Sequence, residues 1–83
     1  MMAETKTEPR RLIDRPGFQL AHGIVPERED EAIPEECIVG RCPECGDSLL
    51  SNLYWHPEKG YLLRYECVSA LLPNGRCHFY CNP

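Results

Sequence analysis

The sequence has no apolar run long enough to cross a membrane, and Met1 to Glu8 is polar with no apolar stretch behind it. A spanning helix needs about 20 apolar residues and a secretory leader needs an apolar h-region, so neither is expected. Basic residues are also in short supply: 9 Lys and Arg stand against 13 Asp and Glu, a net charge of −4. That balance argues against a dominant phosphate-neutralising face, although it leaves open single-strand binding through aromatics. No Gly-rich phosphate loop, nucleophile elbow or supported carboxylate pair is present, and the expectation is a protein that is not an enzyme. With 83 residues there is room for one small domain and little core, so a staple is needed.

The sequence does have cysteine, six of them: Cys37, Cys42, Cys45, Cys67, Cys77 and Cys81. Without a leader they are expected to be reduced and cytoplasmic, holding a metal rather than forming a disulfide framework. Cys42-Pro43-Glu44-Cys45-Gly46 has the spacing of a metal-binding knuckle, in which a tight turn sets both sulfurs on one side. A structural Zn²⁺ contributes roughly 10–16 kcal/mol to folding, more than so small a core can supply.

Charge and proline divide the chain. Residues 1–36 carry five basic and nine acidic side chains, whereas residues 37–83 carry four of each. Pro9, Pro16, Pro26 and Pro34 break any helix in the first part, Arg15-Pro16-Gly17 reads as a turn, and Glu27 to Glu31 reads as solvated. The expectation is an extended or disordered arm over 1–36 and a folded domain over 37–83. Leu12, Ile13, Phe18, Leu20, Ile24, Val25 and Ile33 are scattered along the arm. They are either incidental to a disordered segment or anchors that fold onto a partner or back onto the chain's own sheet.

The second part carries a hairpin signal. Asp47 to Trp55 and Tyr61 to Cys67 are strand-like, with Tyr61, Leu63, Tyr65 and Cys67 on one face at period two. His56-Pro57-Glu58-Lys59-Gly60 forms the turn between them. Val68 to Leu72 suits a single helical turn, Pro73-Asn74-Gly75 another turn, and Arg76 to Tyr80 a third strand.

Knuckle, hairpin, second cysteine set and short third strand together resemble the zinc ribbon, over roughly Gly40 to Tyr80. The likeness implies a small metal-stapled β fold with a three-stranded antiparallel sheet. Most ribbons repeat the close spacing in their second pair, whereas nine residues separate Cys67 from Cys77. Cys67, Pro73, Cys77 and Phe79 are similar in outline to the ribbon at the C-terminal end of type I topoisomerases. A looser likeness extends to phage Ogr/Delta-type zinc-binding regulators. Both families imply zinc and contact with nucleic acid, but neither carries a base-reading residue over to this chain.

The ligand set implied is Cys42, Cys45, Cys67 and Cys77 around one Zn²⁺, with Cys81 as the rival fourth ligand because Cys77 and Cys81 are themselves acceptably spaced. Cys37 and Cys81 are otherwise small buried thiols, or a redox-labile pair if they meet. Four thiolates fill the zinc shell and leave no position for substrate, so the site is expected to be structural.

Three functions compete. The first is a non-catalytic protein-interaction module or a small subunit of a larger assembly, using the arm, the Leu71 and Leu72 segment and exposed aromatics. The second is nucleic-acid binding, with Arg41, Lys59, Arg64 and Arg76 on phosphates and Trp55 stacked on a base. The third is a rubredoxin-like carrier with Fe in place of zinc, which lacks the second Cys-x-x-Cys-Gly knuckle such carriers have. Neither a membrane nor a small-molecule substrate is expected as a partner.

Overall fold

A computed structural model describes residues 11–83. Met1 to Glu8 and Pro9, on which the leader and part of the arm argument rest, lie outside the described residues. Along the chain come β1 (Gln19–His22), β2 (Ile38–Arg41), β3 (Ser48–His56), β4 (Gly60–Cys67), α1 (Val68–Leu71) and β5 (Tyr80–Cys81). Single 3-10 turns at Leu12–Asp14 and Glu35–Cys37 precede β1 and β2. Among the described residues, no helix is long and apolar enough to cross a membrane.

The hairpin of β3 and β4 is the spine. Their antiparallel register runs from Leu49 opposite Cys67 to His56 opposite Gly60. Pro57 opens the three-residue turn, where a fixed φ is an advantage, and Gly60 closes it at φ 77. His56 reinforces it, its Nδ1 accepting from the backbone N–H of Glu58 at 3.0 Å and of Lys59 at 3.3 Å.

Among the described residues the sheet has five strands rather than the three expected from the sequence. β1 and β2 both pair antiparallel with the same edge of β3, β1 around Leu53–Trp55 and β2 around Ser48–Leu50. Each carries a one-residue bulge, at Ala21 and Val39, which bends a short edge strand away from further pairing. β5 pairs with β4 at Tyr65 and Glu66 and begins at Tyr80, four residues later than Arg76, where a third strand was expected.

Over residues 11–36 the arm folds back onto the sheet, as the second of its two readings allowed. The Arg15-Pro16-Gly17 turn forms, with Phe18 N–H donating to Arg15 O at 3.3 Å, and feeds β1. Phe18 then packs against the His56 ring at 4.6 Å between centroids. Leu12 and Pro26 are buried, and Arg11 donates to the Leu71 carbonyl at 3.0 Å. The expected boundary at residue 36 therefore falls inside one sheet.

The two faces of the hairpin are unequal. Leu50, Asn52 and Tyr54 of β3 point inward and are wholly buried, opposite Glu66, Arg64 and Leu62 of β4. Burying polar groups requires partners: Asn52, Tyr54 and Glu66 are hydrogen-bonded to one another, whereas Arg64 Nε is buried without a hydrogen bond and is held by charge alone. Asn52 Nδ2 donates to Glu66 Oε1 at 3.2 Å, the Tyr54 hydroxyl donates to the same oxygen, and Arg64 Nε lies 3.9 Å from Glu66 Oε2. The Arg64 guanidinium lies over the Tyr80 ring, 3.7 Å from its centroid. Tyr61, Leu63 and Trp55 occupy the other face and stay exposed.

Candidate metal centre

The centre lies at the end of the hairpin remote from its turn. The backbone closes the first knuckle by two hydrogen bonds, Cys42 N–H to Asp47 O at 2.7 Å and Gly46 N–H to Cys42 O at 2.9 Å. Gly46 takes φ 82, a left-handed conformation that other residues adopt at a cost. Within the turn, Glu44 N–H donates to Cys42 Sγ at 3.4 Å. Arg41 braces it from outside, its guanidinium donating to Gly46 O at 3.1 Å.

Cys67 ends β4 and caps the N-terminus of α1. From there α1 and the Pro73-Asn74-Gly75 turn carry the chain back to Cys77. Gly75 N–H donates to Leu72 O at 3.1 Å, and a Cβ at Gly75 would sit only 1.5 Å from Ser69 O, so that position admits no side chain. Phe79 N–H then donates to Cys77 Sγ at 3.4 Å. The contact from residue i+2 onto sulfur matches that at Cys42, although Cys67 and Cys77 are separated by nine residues. Cys67 N–H to Phe79 O, at 3.2 Å, ties the two sides together.

The Sγ atoms of Cys42, Cys45, Cys67 and Cys77 lie within 4.8 Å of one another and could hold a metal ion. Cys42 and Cys77 sulfurs are 3.6 Å apart, and those of Cys45 and Cys67 3.3 Å. A tetrahedron with metal–sulfur bonds near 2.3 Å has edges of about 3.8 Å, so the donors fit one ion. Cys42, Cys67 and Ala70 form a buried cluster with Cys77 and Phe79 against it, whereas Cys45 is exposed.

Electrostatics point the same way. Burial opposes charge on Cys42, but the N–H groups of Glu44 and Cys45 and the neighbouring thiols outweigh it and bring the thiol down to about 7. Burial pushes the Cys67 thiol up, and its contact with Cys45 adds to this, against the amides of Ser69 and Ala70. Cys45 is also raised: burial and the Cys42 and Cys77 thiols prevail over the favourable contacts with Asp47 and Cys67. Four thiols this close cannot all ionise without a cation among them.

The remaining expectations separate clearly. Cys81 lies on β5 opposite Tyr65 and is outside the sulfur cluster. Cys37 sits just before β2, on the far edge of the sheet. Three strand spacings of about 4.8 Å separate β2 from β5, too far for a disulfide, so the redox-labile pairing of these two is corrected. Arg64 and Leu71, expected as contact residues, are buried at 8% and 1% exposure and are corrected as well. Lys59 is exposed at the hairpin tip, Arg76 is exposed on the loop before Cys77, Trp55 is on the open face, and Leu72 is half-buried.

Sequence reading missed the buried Asn52, Tyr54, Arg64 and Glu66 group. Its signal was the register: Asn52 and Arg64 fall opposite each other, each two residues from the next polar member on the same face. No protein-family model, curated protein or solved structure matches the chain.

Proposed function

We propose that this chain is a non-catalytic, zinc-stapled protein-interaction module of the zinc-ribbon kind. The observation that carries the reading is the inversion of the hairpin. Tyr61 is 69% and Leu63 39% exposed, while the charged Arg64 and Glu66 are buried. Exposing large apolar side chains costs solvation free energy, and aromatic residues are enriched where proteins bind proteins. The same stretch has an open edge. β5 covers β4 at Tyr65 and Glu66, leaving the outer edge of Gly60–Leu63 without a strand among the described residues. Cys67 N–H points to that side, so by alternation the N–H and C=O groups of Tyr61 and Leu63 do too. An extended segment of a partner protein can add there, using backbone hydrogen bonds and the Trp55–Tyr61 surface.

The donor set supports zinc as the staple, because four thiolates suit a closed tetrahedral site with no open position for substrate. Nucleic-acid binding loses support because Arg64 is committed to Glu66 and Tyr80. The other cations expected to meet phosphates, Arg41, Lys59 and Arg76, sit on the knuckle, the hairpin tip and a separate loop.

Two measurements test the proposal. Elemental analysis should give one zinc per chain, and stoichiometric iron would replace zinc by the carrier reading. Affinity capture with the intact chain and with Tyr61→Ser/Leu63→Ser should differ in a protein partner. Identical capture by the folded double variant would refute the use of this surface.

A further inference from the structure

A groove runs between the acidic segment at residues 27–31 and α1 with the loop that follows it. It comprises three cavities of about 410, 330 and 260 Å³, which share Glu29 and Leu72 as walls. Pro26, Ile33, Val68 and Leu72 give it an apolar floor. Glu29, Glu31 and Asp47 line it, and Glu27 and Asp30 extend the acidic wall at one end. Two cations oppose these five carboxylates. Arg28 is turned to Asp30 at 3.8 Å, and Arg76 stands at the opposite end.

We infer that this groove binds a cationic segment of a partner protein, a bulky aliphatic side chain on the floor flanked by Lys or Arg against Glu29, Glu31 and Asp47. The inference rests on the reading of the chain as a protein-binding module and names a second surface and its partner chemistry. The charge pattern selects the occupant. An apolar floor favours a side chain that leaves water, while the acidic rim favours cations and repels nucleic acid or an acidic peptide. The segment folds into place because Pro26 is buried and Glu27 N–H donates to Glu31 Oε1 at 3.0 Å, so the wall is partly preformed.

Titration calorimetry of the intact, zinc-loaded chain tests this with three acetylated hexapeptides, KRLLKR, KRSSKR and EELLEE. KRLLKR should bind saturably at one site and weaken as salt is raised. The other two should bind about tenfold or more weakly, each having lost one of the two interactions. Glu29→Lys with Glu31→Lys should reduce KRLLKR binding by about tenfold or more, with zinc content and circular dichroism unchanged. Equal binding of KRLLKR and KRSSKR would overturn the proposal, since the floor would then be unused. No binding of KRLLKR would overturn it too, and the Tyr61 and Leu63 surface, tested separately, would stand or fall on its own result. Self-association abolished by the Glu29 and Glu31 changes would assign the groove to a second copy and also overturn it.

Discussion

Cys45 and Cys67 bring their sulfurs to 3.3 Å from opposite environments, the first exposed on the knuckle and the second wholly buried at the end of β4. The centre is thus built into the core on one side and open to solvent on the other. A metal held there would join the knuckle turn to the strand that ends in Cys67.

Loss of either sulfur should therefore unlink them. Cys45→Ser is expected to abolish stoichiometric metal binding and to unfold the knuckle, because ligand binding and folding are one free-energy change. Cys37→Ser and Cys81→Ser should retain one metal per chain. Elemental analysis with circular dichroism checks all three, and metal loss in the Cys81 variant equal to that of Cys45→Ser would show a different fourth ligand.

Asn52 holds the arm. Its Oδ1 accepts from Ile24 N–H at 2.9 Å, while its Nδ2 donates to Glu66. Asn52→Ala should cost about 2–4 kcal/mol, since it leaves a buried carboxylate and an arm amide short of partners. Denaturant unfolding measures the loss, and amide exchange at Ile24 should accelerate more than exchange in β4. Uniform acceleration would mean that Asn52 supports the core alone.

Tyr54 predicts an alkaline limit. Burial, with the nearby Glu66 carboxylate adding, pushes its phenol well above the ordinary value of 10. Because the folded state holds this proton more tightly, the stabilisation is complete below pH 10 and falls as pH rises beyond it, by about 1.4 kcal/mol per unit. Tyr54→Phe should cost about 1 kcal/mol at neutral pH through the lost hydrogen bond and flatten the decline above pH 10. Unfolding curves at pH 8 to 11 that run parallel for both proteins would contradict this assignment.

Gly75 connects the helical turn to Cys77, one of the four candidate metal ligands. With Ser69 O at 1.5 Å from any Cβ, Gly75→Ala must displace the loop leading to Cys77. Metal affinity should drop about 10- to 100-fold, the range seen when groups that orient ligands are lost. Competition with a chromophoric chelator reads the change, and unaltered affinity would show that Cys77 is placed independently of the loop.

Much of the hairpin was legible in the sequence, because period two and the Pro57 to Gly60 turn are local signals that do not depend on the rest of the fold. The Cys42 and Cys45 knuckle was legible for the same reason. β1 was not: four residues among prolines show no periodicity, and they become a strand by pairing with the free edge of β3. The inward face of β4 was hidden for a different reason. Arg64 was expected to meet phosphates, and its burial beside Glu66 depends on Asn52, Tyr54 and Tyr80 supplying partners from other strands.

By itself the sequence determined an antiparallel hairpin and the knuckle that sets Cys42 and Cys45 together, two of the four sulfurs that could hold a metal ion, since turn geometry and strand alternation act over a few residues. Only the tertiary structure decided that Cys77 rather than Cys81 joins Cys67, that the arm is part of the sheet, and that Tyr61 and Leu63 face outward. Each of these is set by contacts between segments far apart in the chain, where packing and polar satisfaction outweigh local preference.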